Sequence, residues 1–130
     1  MIFIFKILVC YVTYWLTYRL NHQYQLGAVK ASAYLALIIG SIYQLLIALN
    51  FEIEKFRDYF LIMMGATFMG MIANVHRHQS IDFIISSIIF CTLYHNSSIY
   101  FNGLGGLLGT IACISILCVF GIERIIKLIK

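Results

Sequence analysis

The feature that most constrains this chain is a series of five long apolar segments separated by short polar breaks. The segments cover residues 2–18, 28–49, 58–75, 80–95 and 103–122. A transmembrane helix needs about 20 apolar residues, with a range of about 17–25. The second and fifth segments have this length comfortably, the first and third adequately, and the fourth is short. Because the breaks between them are short, consecutive helices are expected to be antiparallel neighbours.

The composition supports a membrane protein rather than a soluble one. Hydrophobic residues make up 62% of the chain and charged residues 11%, whereas soluble domains average about 45–50% and about 25%. Backbone groups in lipid must be hydrogen-bonded within their own segment, which favours helices. We therefore predict an all-α integral membrane protein, with residues 1–130 forming one polytopic domain. It would be a compact bundle of five transmembrane helices with short loops. The alternative is four full spans plus an irregular fourth segment.

The distribution of basic residues predicts the orientation of this bundle. With five spans, loops one and three and the C-terminus share one side. Cytoplasmic loops carry an excess of Lys and Arg, so the richer side is expected to be cytoplasmic and the N-terminus outside, in the plasma (inner) membrane. The richer side holds Arg19, Lys30, Arg77, Arg124, Lys127 and Lys130, against Lys6, Lys55 and Arg57 on the other.

The net charge of +4 is better explained by the lipid bilayer as partner than by nucleic acid. The basic residues stand singly between apolar runs and form no basic stripe interleaved with aromatics. Anionic lipid headgroups attract such residues by about 1 kcal/mol each near the surface. We predict no nucleic-acid partner.

Small and polar residues recur every four positions in three segments. Such ridges let helix backbones approach closely in lipid, so the positions are expected to pack helices together or to line a pore, within one protomer or in a homo-oligomer. They are Ala28, Ser32, Ala36, Gly40 and Gln44 in segment two; Ala66, Gly70 and Asn74 in segment three; and Gly105 and Gly109, with Thr110 beside them, in segment five. Residues 64–75 also resemble residues 103–114, with Gly70 aligned to Gly109, which raises the hypothesis of an internal repeat.

Ionisable residues gather at the predicted cytoplasmic face rather than in the middle of the spans. They predict an anion or lipid-headgroup site, and the alternative is an ordinary basic rim at the membrane surface. The candidate residues are Arg19, His22, Lys30, His76, Arg77, His78 and Asp82. We predict no metal, because residues two apart on a helix, such as His76 and His78, point about 200° away from each other. No cofactor motif and no catalytic motif occurs in the sequence.

Three functions fit these features. The first is a homo-oligomeric channel or transporter for a small solute, ion or lipid, because one protomer of this size has few helices with which to enclose a path. The second is a non-catalytic membrane subunit or anchor that docks a partner protein. The third is an interfacial enzyme acting on lipid, with His76, His78 and Asp82 at its mouth.

Overall fold

A computed structural model describes residues 2–25, 27–49, 56–72, 80–97 and 106–129 of the chain. Within these ranges the structure is all-helical, as the sequence predicted. The helices are α1 (Ile2–His22), α2 (Ala28–Ala48), α3 (Arg57–Met69), α4 (Ser80–Ser97) and α5 (Leu107–Ile129).

The short helix of the bundle is α3, not α4. It has 13 residues, a length of about 20 Å at 1.5 Å per residue, whereas the hydrocarbon layer of a bilayer is about 30 Å thick. The helix predicted for residues 58–75 is shorter than expected: it ends at Met69, with Gly70 as its C-cap. The fourth segment, which only the alternative prediction made irregular, is a continuous helix of 18 residues.

A side chain from α1 explains why α3 ends where it does. The amide of Asn21 donates hydrogen bonds to the carbonyls of Gly70, at 3.4 Å, and Ile72, at 3.3 Å, which both follow the last helical residue, Met69. A longer α3 would use these carbonyls for its own helical hydrogen bonds. The bonds from Asn21 hold them against α1 instead.

The contacts show that the five helices alternate in direction. The side chain of Lys6, near the start of α1, pairs with that of Asp58, at the start of α3, so these two helices are parallel. The hydroxyl of Ser32, early in α2, donates to that of Thr67, late in α3, so α2 runs the opposite way.

The same direction rule extends to the last two helices. Tyr18, near the end of α1, packs against Phe83, near the start of α4, with ring centroids 5.1 Å apart. Asp82, also near the start of α4, lines the same groove as Glu123, late in α5. Helices α1, α3 and α5 therefore point one way, and α2 and α4 the other.

Helix α3 occupies the centre of the bundle and packs against each of the other four helices. Its close approach to two of them depends on glycine. A Cβ atom built on Gly65 would fall 2.3 Å from the ring of Phe90, and one built on Gly70 would fall 2.3 Å from the Cβ of Thr17. The core around these contacts is Cys10, Tyr14, Ile62, Ala66, Met69, Phe83, Phe90, Cys91, Tyr94, Ile111 and Ala112.

Two of the described helices are long and apolar enough to cross a membrane, namely Phe3–His22 and Ala28–Ala48. These two are compatible with membrane insertion. A membrane bundle of five spans is not confirmed, and it stays a prediction.

Candidate functional site

One end of the bundle collects most of the predicted site residues. It is the end where α1, α3 and α5 finish and where α2 and α4 begin, and we call it the polar end. Its charged and histidine side chains within the described ranges are Arg19, His22, Lys30, Asp82, Glu123, Arg124 and Lys127. His76, Arg77 and His78 were predicted to belong to the same site, and they lie outside the described residues.

The two predicted cations of the polar end lie on its outer surface. Arg19 is exposed, and its guanidinium stacks over the ring of Trp15, 4.4 Å from the centroid, on the same helix. Lys30 is exposed in the first turn of α2. The described contacts therefore place Arg19 and Lys30 on the rim and not in a shared pocket with Asp82.

His22 belongs to an aromatic column along α1. Tyr14, Tyr18 and His22 are spaced four residues apart, so they lie on one face of the helix. The rings of Tyr18 and His22 are 4.3 Å apart, and Phe83 of α4 packs 4.6 Å from Tyr14. Tyr14 is fully buried and lies within electrostatic reach of Asp82.

Two polar atoms of this column are buried without a hydrogen-bond partner among the described residues. They are the hydroxyl of Tyr14 and the Nε2 atom of His22. Buried polar groups are normally hydrogen-bonded.

Asp82 also lines a groove between α4 and α5 at the polar end, which we call the near groove. Its volume is about 500 Å³. The walls are isoleucine and valine side chains, and Asp82, Glu123 and Lys127 provide its polar groups. The lining residues are Ile81, Asp82, Ile85, Val119, Ile122, Glu123, Ile126 and Lys127.

A second groove lies between the same two helices toward the other end, and we call it the far groove. Its volume is about 550 Å³, and its polar side chains are Ser97 and Thr110. A third groove, of about 320 Å³, lies between α3 and α5 and includes Gly109. The predicted residues Gly109 and Thr110 thus both face grooves beside α5.

The small and polar residues predicted to form ridges on α2 and α3 differ in how deeply they are buried. Ser32, Ala66 and Gly70 are buried, with Ser32 hydrogen-bonded to Thr67 at 3.3 Å. A Cβ atom on Gly40 would meet the methyl end of Met64 at 3.3 Å. Ala36 is half-buried, and Gln44 is exposed. Asn74 and Gly105 lie outside the described residues.

The proposed repeat between residues 64–75 and 103–114 does not correspond to equivalent positions in the fold. Gly70 caps the end of α3, whereas Gly109 lies in the first turn of α5. One glycine ends a helix and the other helps to begin one.

Sequence reasoning missed an ion pair at the end of the bundle opposite the polar end. Lys6 and Asp58 are 2.9 Å apart, and the Lys6 side chain is only 16% exposed. Lys6 also lies 5.8 Å from the ring centroid of Tyr59. The signal for this pair was the lysine itself, because a charge inside an apolar run requires a partner.

Comparisons with known proteins add no family assignment. No family model matches the chain, and neither a curated protein nor a solved structure matches it significantly. Among the described residues, no group of three or more His, Cys, Asp or Glu side chains is arranged to hold a metal ion.

Proposed function

We propose that the protein is a multi-pass membrane protein that moves lipid across the bilayer along the surface of α5, as a homo-oligomer. The observation that carries the proposal is the position of the cavities. The centre of the bundle is filled, since Tyr14, Ile62, Met69 and Phe90 are fully buried there. Three grooves lined by described residues flank α5.

The exposed surface supports placement in a bilayer. Soluble monomers rarely expose apolar patches larger than a few hundred Å². Here large apolar side chains are exposed on α1, α2, α4 and α5, and each of the two candidate spans has only 22% of its apolar window buried. Examples are Ile4, Leu8, Leu37, Leu45, Ile81, Ile84, Leu117 and Ile125.

The character of the grooves favours lipid over an ion or a small polar solute. A phospholipid combines a charged headgroup with apolar chains. The near groove combines apolar walls with Asp82, Glu123 and Lys127. The far groove has two hydroxyl groups, of Ser97 and Thr110, among apolar side chains. The two grooves lie at opposite ends of the α4–α5 pair, so a headgroup moving along α5 would meet polar groups near both membrane surfaces.

The proposed orientation follows the basic residues. The polar end would face the cytoplasm, with the N-terminus outside. In a homo-oligomer, α5 would lie at the contact between protomers, so that a second copy closes the open side of each groove.

Reconstitution in liposomes tests this proposal. Vesicles that contain the purified protein and a trace of fluorescent phospholipid are treated with a membrane-impermeant reductant. We expect the protein to expose inner-leaflet lipid to the reductant faster than protein-free vesicles do. Fluorescence loss limited to the outer leaflet at every protein density would overturn the proposal.

A matched pair of variants tests the path. Thr110→Trp places an indole in the far groove, and Ser41→Trp places one on the exposed surface of α2. Both replace an exposed hydroxyl residue of a helix. Thr110→Trp is expected to slow lipid movement several-fold and Ser41→Trp to leave it unchanged. Equal rates for the two variants would argue against a path along α5.

A further inference from the structure

We infer that the near groove binds the headgroup of a phospholipid that carries a primary amine, such as phosphatidylethanolamine. The ammonium group would lie between Asp82 and Glu123, the phosphate would pair with Lys127, and an acyl chain would lie along the isoleucine wall. The inference rests on the proposed placement of the protein in a membrane, and it names the ligand of the groove.

The size and walls of the groove suit one lipid headgroup and the start of a chain. Ligand sites usually have volumes of about 300–1,000 Å³, with mostly apolar walls and a few placed polar groups. The groove has about 500 Å³ and this kind of lining. Ile81 and Ile85 of α4 face Ile122 and Ile126 of α5 across it.

The charged groups of the groove select the headgroup. Among the described residues, the groove is lined by two carboxylates, of Asp82 and Glu123, and by the ammonium group of Lys127. A zwitterionic headgroup can place its ammonium against the carboxylates and its phosphate against Lys127. An anionic headgroup such as phosphatidylglycerol satisfies only the lysine and brings its charge close to Asp82 and Glu123.

The ion pair within the groove is exposed, so it can exchange with a ligand. Glu123 and Lys127 pair at 2.5 Å, and their side chains are 41% and 68% exposed. Such exposed pairs contribute little to stability. A bound zwitterion would replace this contact with two contacts of the same type, one to each side chain, and the fold would lose little.

Hydrogen bonding distinguishes a primary amine from a quaternary one. A primary ammonium donates up to three hydrogen bonds, and carboxylates such as Asp82 and Glu123 accept charge-assisted hydrogen bonds well. The trimethylammonium group of phosphatidylcholine has no N–H donor. Affinity is therefore expected to fall as the amine is methylated step by step.

Native mass spectrometry of the detergent-purified full chain tests this order. The probes are phosphatidylethanolamine, its N-methyl and N,N-dimethyl derivatives, phosphatidylcholine and phosphatidylglycerol, all with the same acyl chains. We expect retention to fall several-fold from the primary amine to phosphatidylcholine, with phosphatidylglycerol also weak. Equal retention of the primary amine and of phosphatidylcholine would overturn the inference.

Two neighbouring substitutions on α5 provide the matched control. Lys127→Gln and Arg124→Gln remove the same charge, but only Lys127 lines the groove. Lys127→Gln is expected to lower retention of phosphatidylethanolamine several-fold, and Arg124→Gln to leave it unchanged. An equal loss in both variants would assign the effect to general surface charge and overturn the inference.

Asp82→Asn is expected to change the binding of two lipids in opposite directions, which a folding defect would not do. It is expected to weaken binding of the primary amine and to strengthen binding of phosphatidylglycerol. A loss of both would contradict the proposed geometry.

Because these binding measurements are made without transport, lipid binding without lipid movement would overturn the proposed function alone. Lipid movement with no preference for the amine would overturn this inference alone.

Discussion

Gly70, directly after α3, lies so close to α1 that a Cβ atom built on it would fall 2.3 Å from the Cβ of Thr17. The backbone of Gly70 has φ −72° and ψ −5°, a conformation that alanine adopts readily. The reason for a glycine here is therefore space and not backbone freedom.

Replacing Gly70 by alanine is expected to destabilise the bundle by about 1–3 kcal/mol, the usual cost of overpacking a core. Thermal unfolding in detergent measures the change. The control is Gly121→Ala, because Gly121 lies in an exposed part of α5 with nothing within 4 Å of its Cβ position. Gly121→Ala is expected to be neutral or slightly stabilising, since alanine favours helix interiors by about 0.5–1 kcal/mol over glycine. Equal midpoints for the two variants would contradict the close α1–α3 crossing.

Gly65 and Phe90 are expected to compensate for each other. A Cβ on Gly65 would meet the tip of the Phe90 ring at 2.3 Å, so Gly65→Ala alone should be strongly destabilising. Phe90→Leu removes that tip. In the double variant the two effects should not add, with an interaction energy of about 0.5–3 kcal/mol. Strict additivity in a double-mutant cycle would show that α3 and α4 do not meet at this point.

The hydrogen bond between Ser32 and Thr67 joins α2 to α3. The Ser32 hydroxyl donates to Thr67 Oγ1 at 3.3 Å, while Thr67 donates to the carbonyl of Met64. A cycle with Ser32→Ala and Thr67→Val should give a coupling of about 0.6 kcal/mol, the average for such bonds between membrane helices. A coupling indistinguishable from zero would place the two hydroxyls apart.

The ion pair between Lys6 and Asp58 should depend on both members. Asp58→Asn leaves the mostly buried Lys6 ammonium without its counter-charge. The Asp58 side chain is 55% exposed, so the cost arises at Lys6. Leaving a buried charge without its partner usually costs more than replacing both members of the pair. The Asp58→Asn variant is therefore expected to unfold at a lower temperature than the double variant Lys6→Met with Asp58→Asn. The reverse order would mean that solvent screens the pair fully.

The four cysteines allow a test of the environment of α5. Cys10 and Cys91 are buried, and Cys113 and Cys118 are exposed. In detergent, an apolar maleimide should label Cys113 and Cys118 first, as measured by intact mass. In vesicles, a charged membrane-impermeant reagent should leave Cys113 unlabelled, because the proposed placement in the bilayer keeps the middle of α5 away from water. Rapid labelling of Cys113 by the charged reagent would contradict a bilayer around α5.

The sequence predicted the helical class, the alternating directions and the bounds of α2 closely, because apolar length and glycine position are local signals. The end of α3 was not predictable in this way. It depends on Asn21, whose amide comes from α1 and takes over carbonyls that the helix would otherwise use. Spacing alone also could not assign partners: Ser32 belongs to a visible ridge, but nothing local indicates that it meets Thr67.

The groove between α4 and α5 illustrates the same limit, since Asp82 is the only one of its charged residues that was predicted for the headgroup site. The signal at Asp82 was its position at the start of a segment, and the pair Glu123 and Lys127 has the four-residue spacing typical of helical ion pairs. That these three residues share one groove depends on how α4 packs on α5. Arg19, also predicted for the headgroup site, lies at the surface, where its guanidinium contacts Trp15 of its own helix.

The shortness of α3 has a consequence for how the chain is made. At about 20 Å, α3 is short, and it packs against α1, α2, α4 and α5. When a ribosome has released the third segment, only α1 and α2 have been made. The contacts of α3 with α4 and α5 therefore form only after the chain that follows it has been synthesised.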